Sequence, residues 1–107
     1  MKYKIAIAED NTFLANALVE KLSFFKESLQ YMFRVRDGKE LIDKLKNNAE
    51  IDLILMDIKM PNMNGIEATK FVKQQYPAMK IVMITVFDDD ENILQSIQSG
   101  ANGYLLK

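Results

Sequence analysis

Five short apolar runs punctuate the chain, and each of the first four is followed by a segment whose apolar residues recur at helical spacing. "YKIAIA" (3–8), "LQYMFRVR" (29–36), "IDLILM" (51–56), "KIVMIT" (80–85) and "GYLLK" (103–107) have the length and apolar, often β-branched, content of strands. "TFLANALVEKLSFF" (12–25) carries Phe13, Leu14, Ala17, Leu18 and Leu22 along one stripe, with Asn11 or Thr12 as its cap. "DGKELIDKLKNN" (37–48) spaces Asp37 and Glu40 as a capping box and gathers Leu41, Ile42 and Leu45 on one face. "NGIEATKFVKQQY" (64–76) is stopped by Pro77. "DDDENILQSIQSG" (88–100) crowds acids at its start and ends on Gly100. The order β-α-β-α-β-α-β-α-β, joined by short loops, predicts an α/β fold: one doubly wound parallel sheet with right-handed crossovers. "IDLILM" is almost continuously apolar, which predicts a central strand buried on both faces.

Composition narrows the chemistry. The 107 residues suit one domain, and 49% are hydrophobic, enough for a core. Lys and Arg number 14 against 15 Asp and Glu, a net charge of -1 with no basic block, so this chain alone is a poor nucleic-acid binder. It has no cysteine and no histidine, which excludes disulfides, thiol nucleophiles, and imidazole bases or metal ligands. No apolar run approaches the ~18 residues of a membrane span, and "MKYKIAIAEDN" is too short for a signal peptide. A soluble cytoplasmic protein without a membrane partner is expected.

In a sheet of this type ligands bind beyond the carboxyl ends of the strands. Those ends carry Glu9-Asp10, Asp57, Thr85 and Lys107. Singly each has a plain reading: a cap, a turn residue, a β-former, a solvated charge. Together they bring three carboxylates, a hydroxyl and an ammonium to one edge. A hard divalent cation such as Mg²⁺ relieves the repulsion among such acids, and one carboxylate can then act as a nucleophile toward phosphorus. The lysine and the hydroxyl would meet phosphoryl oxygens.

In order and spacing, "AEDN", "MDIKMPNMNG", "ITVFDDD" and "GANGYLLK" resemble the receiver domain of bacterial two-component response regulators, over the whole chain. "SGANGYLLK" is most similar to the branch that carries a C-terminal helix-turn-helix DNA-binding domain. The resemblance implies a flavodoxin-like five-stranded sheet of order 2-1-3-4-5. It implies Asp57 as phosphoacceptor, and Mg²⁺ or Mn²⁺ held by Glu9, Asp10, Asp57 and the backbone carbonyl of Lys59. Thr85 and Tyr104 would be switch residues, Lys107 would pair with the phosphoryl group, and Pro61 and Gly65 would shape the loop. A sensor histidine kinase is the implied donor, and DNA would be reached only through a domain absent from this chain.

The family continues past the lysine into a fifth helix. Residues 1–107 are therefore expected to form a receiver domain lacking its last helix, with uncovered apolar surface near Leu105 or Leu106 and a tendency to self-associate. The chain is expected to be a signalling switch, not an enzyme, assisting only its own phosphorylation and dephosphorylation. Two alternatives are a haloacid-dehalogenase-like phosphatase, which needs a second acid where Lys59 stands, and a receiver-like module that is never phosphorylated.

Overall fold

A computed structural model describes residues 2–48, 50–85 and 90–106. Its elements are β1 (Tyr3–Ala8), α1 (Thr12–Ser23), β2 (Leu29–Val35), α2 (Gly38–Asn47), β3 (Leu53–Asp57), α3 (Gly65–Gln75), β4 (Lys80–Thr85), α4 (Asp90–Ser99) and β5 (Gly103–Leu106). The five strands form one parallel sheet of order β2-β1-β3-β4-β5, the expected order. Asp88 and Asp89, part of the expected fourth helix, and Lys107 lie outside the described residues.

The helix ends follow from local hydrogen bonding. Asn11 caps α1 by accepting from the Leu14 N–H at 3.0 Å. Asp37 caps α2 by accepting from the Glu40 N–H at 2.9 Å. A reciprocal capping box instead opens α3: the Asn64 side chain accepts from the Glu67 N–H, and the Glu67 carboxylate accepts from the Asn64 N–H. Gly100 has φ 106°, the left-handed backbone that glycine adopts without penalty just past a helix end. Helix α1 stops at Ser23, two residues short of the expected end; Phe24 and Phe25 fall in the following turn and are exposed.

The main core lies between the sheet and α2 and α3. Ala6, Ala8, Ile54, Met56, Ile81 and Met83 meet Leu41, Leu45, Ala68 and Val72 there, and Tyr104 packs against this cluster. The opposite face, toward α1, is covered less fully. Ile5, Ile7 and Ile84 are buried, but Leu53 and Leu55 remain half-buried. The expectation of a third strand shielded on both faces is therefore met on one face only. The expected α1 stripe also differs: Ala15 is the buried residue of the helix and Phe13 is 81% exposed. Of Leu105 and Leu106, one or the other of which was expected to be uncovered, Leu105 is 56% exposed.

Strand β2 carries an irregularity in its pairing with β1. Tyr31 pairs with Ile5, but the next pair is Phe33 with Ala6, so Met32 is an extra residue. From there Arg34 pairs with Ile7 and Val35 with Ala8. A bulge of this kind re-aims the residues that follow it.

Candidate functional site at the carboxyl edge of the sheet

Strands β1 and β3 are neighbours, paired from Ile5 with Leu53 to Ala8 with Met56. One residue beyond the last pair stand Glu9 and Asp57. Both are buried, Glu9 2% and Asp57 8% exposed, although each carries a carboxylate. The apolar run thus delivers its terminal acid into a crowded, rigid place. The Glu9 N–H donates to the Val35 carbonyl at 3.0 Å, which prolongs the sheet by one step, and a Glu9 carboxylate oxygen accepts from the Asn11 N–H at 3.2 Å. Asp57 Oδ1 accepts from the Ile58 N–H at 2.9 Å. Asp10 follows Glu9 and is exposed.

The loop after Asp57 is tightly folded. The Met63 N–H donates to the Pro61 carbonyl at 2.6 Å across Asn62, whose φ is 63°, and the Gly65 N–H donates to the Ile58 carbonyl at 2.8 Å. A side chain at Gly65 would collide with the Asp57 backbone carbonyl, so glycine is required for α3 to start this close to the acid. Lys59 lies in this loop with an exposed side chain.

The start of α2 fastens the same loop from the side. The Gly38 N–H donates to the Met63 carbonyl at 2.9 Å, and the Asn62 side-chain amide donates to Asp37 Oδ2 at 2.8 Å. The Glu40 backbone N–H and then the Asn62 amide hold the Asp37 carboxyl below its ordinary pKa of 3.8, against the opposing cost of burial.

Thr85 ends β4 and pairs with Leu106 of β5, one step past the pair of Asp57 with Ile84, so its backbone reaches the same edge. Tyr104 pairs with Met83 and is partly buried against the main core. The expected phosphoryl-pairing residue, Lys107, is outside the described residues. Glu9, Asp10, Asp57 and the Thr85 backbone are thus gathered at one edge.

Among the described residues no three acidic side chains stand close enough to enclose a cation. The donor set fits a hydrated hard cation, which uses one or two carboxylates and keeps several waters. Two buried carboxylates on adjacent strands, in a chain without histidine or cysteine, match that habit.

Two residues at this edge were not foreseen as part of it. Arg34, on β2, donates from Nε to the Glu9 carbonyl at 2.9 Å and from Nη2 to the Asp10 carbonyl at 3.1 Å. The sequence marks Asp37 only as a cap; the Asn62 bond makes it a brace as well.

The sheet is parallel, of order β2-β1-β3-β4-β5, and its third strand ends in a buried acid. The family model for the response regulator receiver domain matches residues 5–107, and the chain belongs to that family. It is 38% identical over 104 residues to the transcriptional regulatory protein LnrK of Bacillus subtilis, covering 97% of this chain and 46% of LnrK. It is 33% identical over 107 residues to the response regulator protein VraR of Staphylococcus epidermidis, covering 100% of this chain and 50% of VraR. The crystal structure of the phosphorylated cyanobacterial phytochrome response regulator RcpA superposes with a TM-score of 0.89 at 26% identity, covering 100% of this chain and 81% of that one. The chain spans about half the length of the curated relatives it matches.

Proposed function

We propose that this chain is a phosphorylation switch in which Asp57 takes a phosphoryl group from a phosphohistidine on a sensor histidine kinase. An Asp57 carboxylate oxygen attacks phosphorus and the new O–P bond forms. The N–P bond breaks, its electron pair stays on the imidazole, and that nitrogen takes a proton from solvent. The observation that carries the reading is the burial of Asp57 at the carboxyl end of β3 beside buried Glu9 of β1. A strand end aims the nucleophile, and glycine at position 65 lets α3 start against the Asp57 backbone carbonyl.

Glu9, Asp10, Asp57 and the Lys59 carbonyl would hold Mg²⁺ or Mn²⁺, one or two carboxylates directly and the rest through its waters, and the ion when bound neutralises charge building on the phosphoryl oxygens. The Lys107 ammonium pairs with one phosphoryl oxygen and the Thr85 hydroxyl donates to another. The added charge near -2 biases the arrangement of Thr85 and Tyr104 between two states. A tenfold change in their ratio needs only ~1.4 kcal/mol of differential interaction. Return to the starting state is hydrolysis of the acyl phosphate, assisted by the same groups. The output, in the cytoplasm, is control of transcription through a DNA-binding domain outside this chain, the sort of role that the name of LnrK carries.

Intact mass after incubation with acetyl phosphate and Mg²⁺ tests the reading. One phosphoryl adduct is expected, dependent on the metal and lost in Asp57→Asn. An adduct of normal yield in that variant rules Asp57 out.

A further inference from the structure

We propose that Arg34 is a positioning residue for the acidic pair: its guanidinium holds the turn bearing Glu9 and Asp10 in the arrangement that binds the cation. The inference rests on the metal-assisted reading above. Its basis is a fork of contacts from β2 to a turn between β1 and α1. Nε donates to the Glu9 carbonyl at 2.9 Å, Nη2 to the Asp10 carbonyl at 3.1 Å, and the same Nη2 lies 3.5 Å from Thr12 Oγ1.

The peptide units around Glu9 are therefore gripped on both sides from β2. Val35 accepts the Glu9 N–H and Arg34 donates to the Glu9 carbonyl. The orientation of these peptide planes fixes where the two side chains leave the backbone. One guanidinium meets two consecutive carbonyls, those of Glu9 and Asp10.

The bulge at Met32 makes this reach possible. In an unshifted register, with Met32 level with Ala6, Arg34 would stand level with Ala8, whose side chain is buried in the main core. With the shift, Arg34 stands level with Ile7 on the α1 side, where the turn passes. A planar fork serves two carbonyls at once, which a lysine ammonium on a flexible stem does not reproduce.

Charge and geometry make opposite demands at this place. A cation beside a cation site weakens metal binding by repulsion, so a purely electrostatic role for Arg34 would be inhibitory. A positioning role predicts the reverse: losing the fork weakens binding even when the charge is kept.

The test is Mn²⁺ affinity, read from the free-ion signal in electron paramagnetic resonance, for the parent chain and for Arg34→Lys, Arg34→Gln and Asp10→Ala. Thermal unfolding without metal is measured on each. Arg34→Lys is expected to bind Mn²⁺ about tenfold more weakly, the usual effect of losing a group that orients a ligand. Its metal-free melting is expected to stay within a few degrees of the parent, and Arg34→Gln is expected to bind more weakly as well. Parent-like affinity in both Arg34 variants overturns the proposal, as does tighter binding in Arg34→Gln with no change in Arg34→Lys. Weakened binding accompanied by an equal collapse of metal-free stability also overturns it, since Arg34 would then be only structural. Should Arg34→Gln not fold, Arg34→Lys alone decides. A parent chain that binds no Mn²⁺, or an Asp10→Ala chain that binds it normally, removes the underlying metal reading instead.

Discussion

On β3, Ile54 and Met56 face α2 and α3 and are fully shielded, whereas Leu53 and Leu55 face α1 and stay half-buried. The contrast recurs in part on β4 and β5 but not on β1, and Ile84 of β4 is buried on the second face. Ile81 and Met83 are sealed on the first face, while Val82 is half-buried and Leu105 exposed on the second. Among the described residues α1 is the only helix on that second side. The difference teaches that apolar residues in a strand report that the sheet favours burial, not that both faces receive equal cover. The site sits at the end of both faces: α2 braces its β3–α3 loop from the sealed side, and Arg34 holds its β1–α1 turn from the other.

The largest expected effect sharpens this contrast within one strand. Ile54→Ala should cost about 2–5 kcal/mol, the range for truncating a fully packed core side chain. Leu55→Ala, from a half-buried position, should cost only about 1 kcal/mol. Urea unfolding midpoints would show it, and equal costs would break the comparison.

The open face should next reveal itself through association. Phe13 and Leu105 present apolar surface of a kind that marks contact sites when it is contiguous. The 107-residue chain is expected to self-associate at tens of micromolar in sedimentation. Phe13→Ser with Leu105→Ser should weaken that association roughly tenfold, or ~1.4 kcal/mol. A cooperatively melting monomer at that concentration would mean that α1 alone closes the face adequately.

On the sealed side, Asp37→Ala should cost about 1 kcal/mol through the lost cap. The pH dependence has a definite sign. The folded-state pKa of Asp37 is depressed, so its contribution is fully present above the unfolded value and is lost as pH falls through the folded one. Between neutral pH and a pH of about 3, the parent should therefore lose more stability than Asp37→Asn. Identical acid profiles would show that the brace to Asn62 carries no charge-dependent stability. The smallest effect belongs to Lys44, whose Nζ lies 5.5 Å from the centre of the Phe33 ring. Lys44→Met should change stability by no more than about 0.5 kcal/mol, since the contact is partly solvated.

Strand positions, helix order and the acids at the strand ends were legible because they depend on local apolar runs and on the alternation of elements. The C-terminus of α1 was not. Phe24 and Phe25 continue the apolar pattern, and no glycine or proline marks the stop at Ser23. The capping box of α3 is written in the sequence as Asn64 and Glu67, three residues apart. The role of Arg34 had no sequence signal, because it depends on an extra residue at Met32 that shifts the register of β2 against β1. Uncovered apolar surface was expected beside the first helix and on strand five, but not at Leu53 and Leu55 of β3, since burial on the second face depends on which helices pack there.

That Asp57 and no other carboxylate takes the phosphoryl group can be tested most directly by borohydride trapping. After incubation with acetyl phosphate and Mg²⁺, reduction converts an aspartyl phosphate to homoserine, and peptide mass mapping locates it. The expected result is homoserine at position 57 alone, absent without Mg²⁺ and absent in Asp57→Asn. Homoserine at Asp10 or Asp52, or a phosphoryl adduct that borohydride leaves untouched, would contradict it.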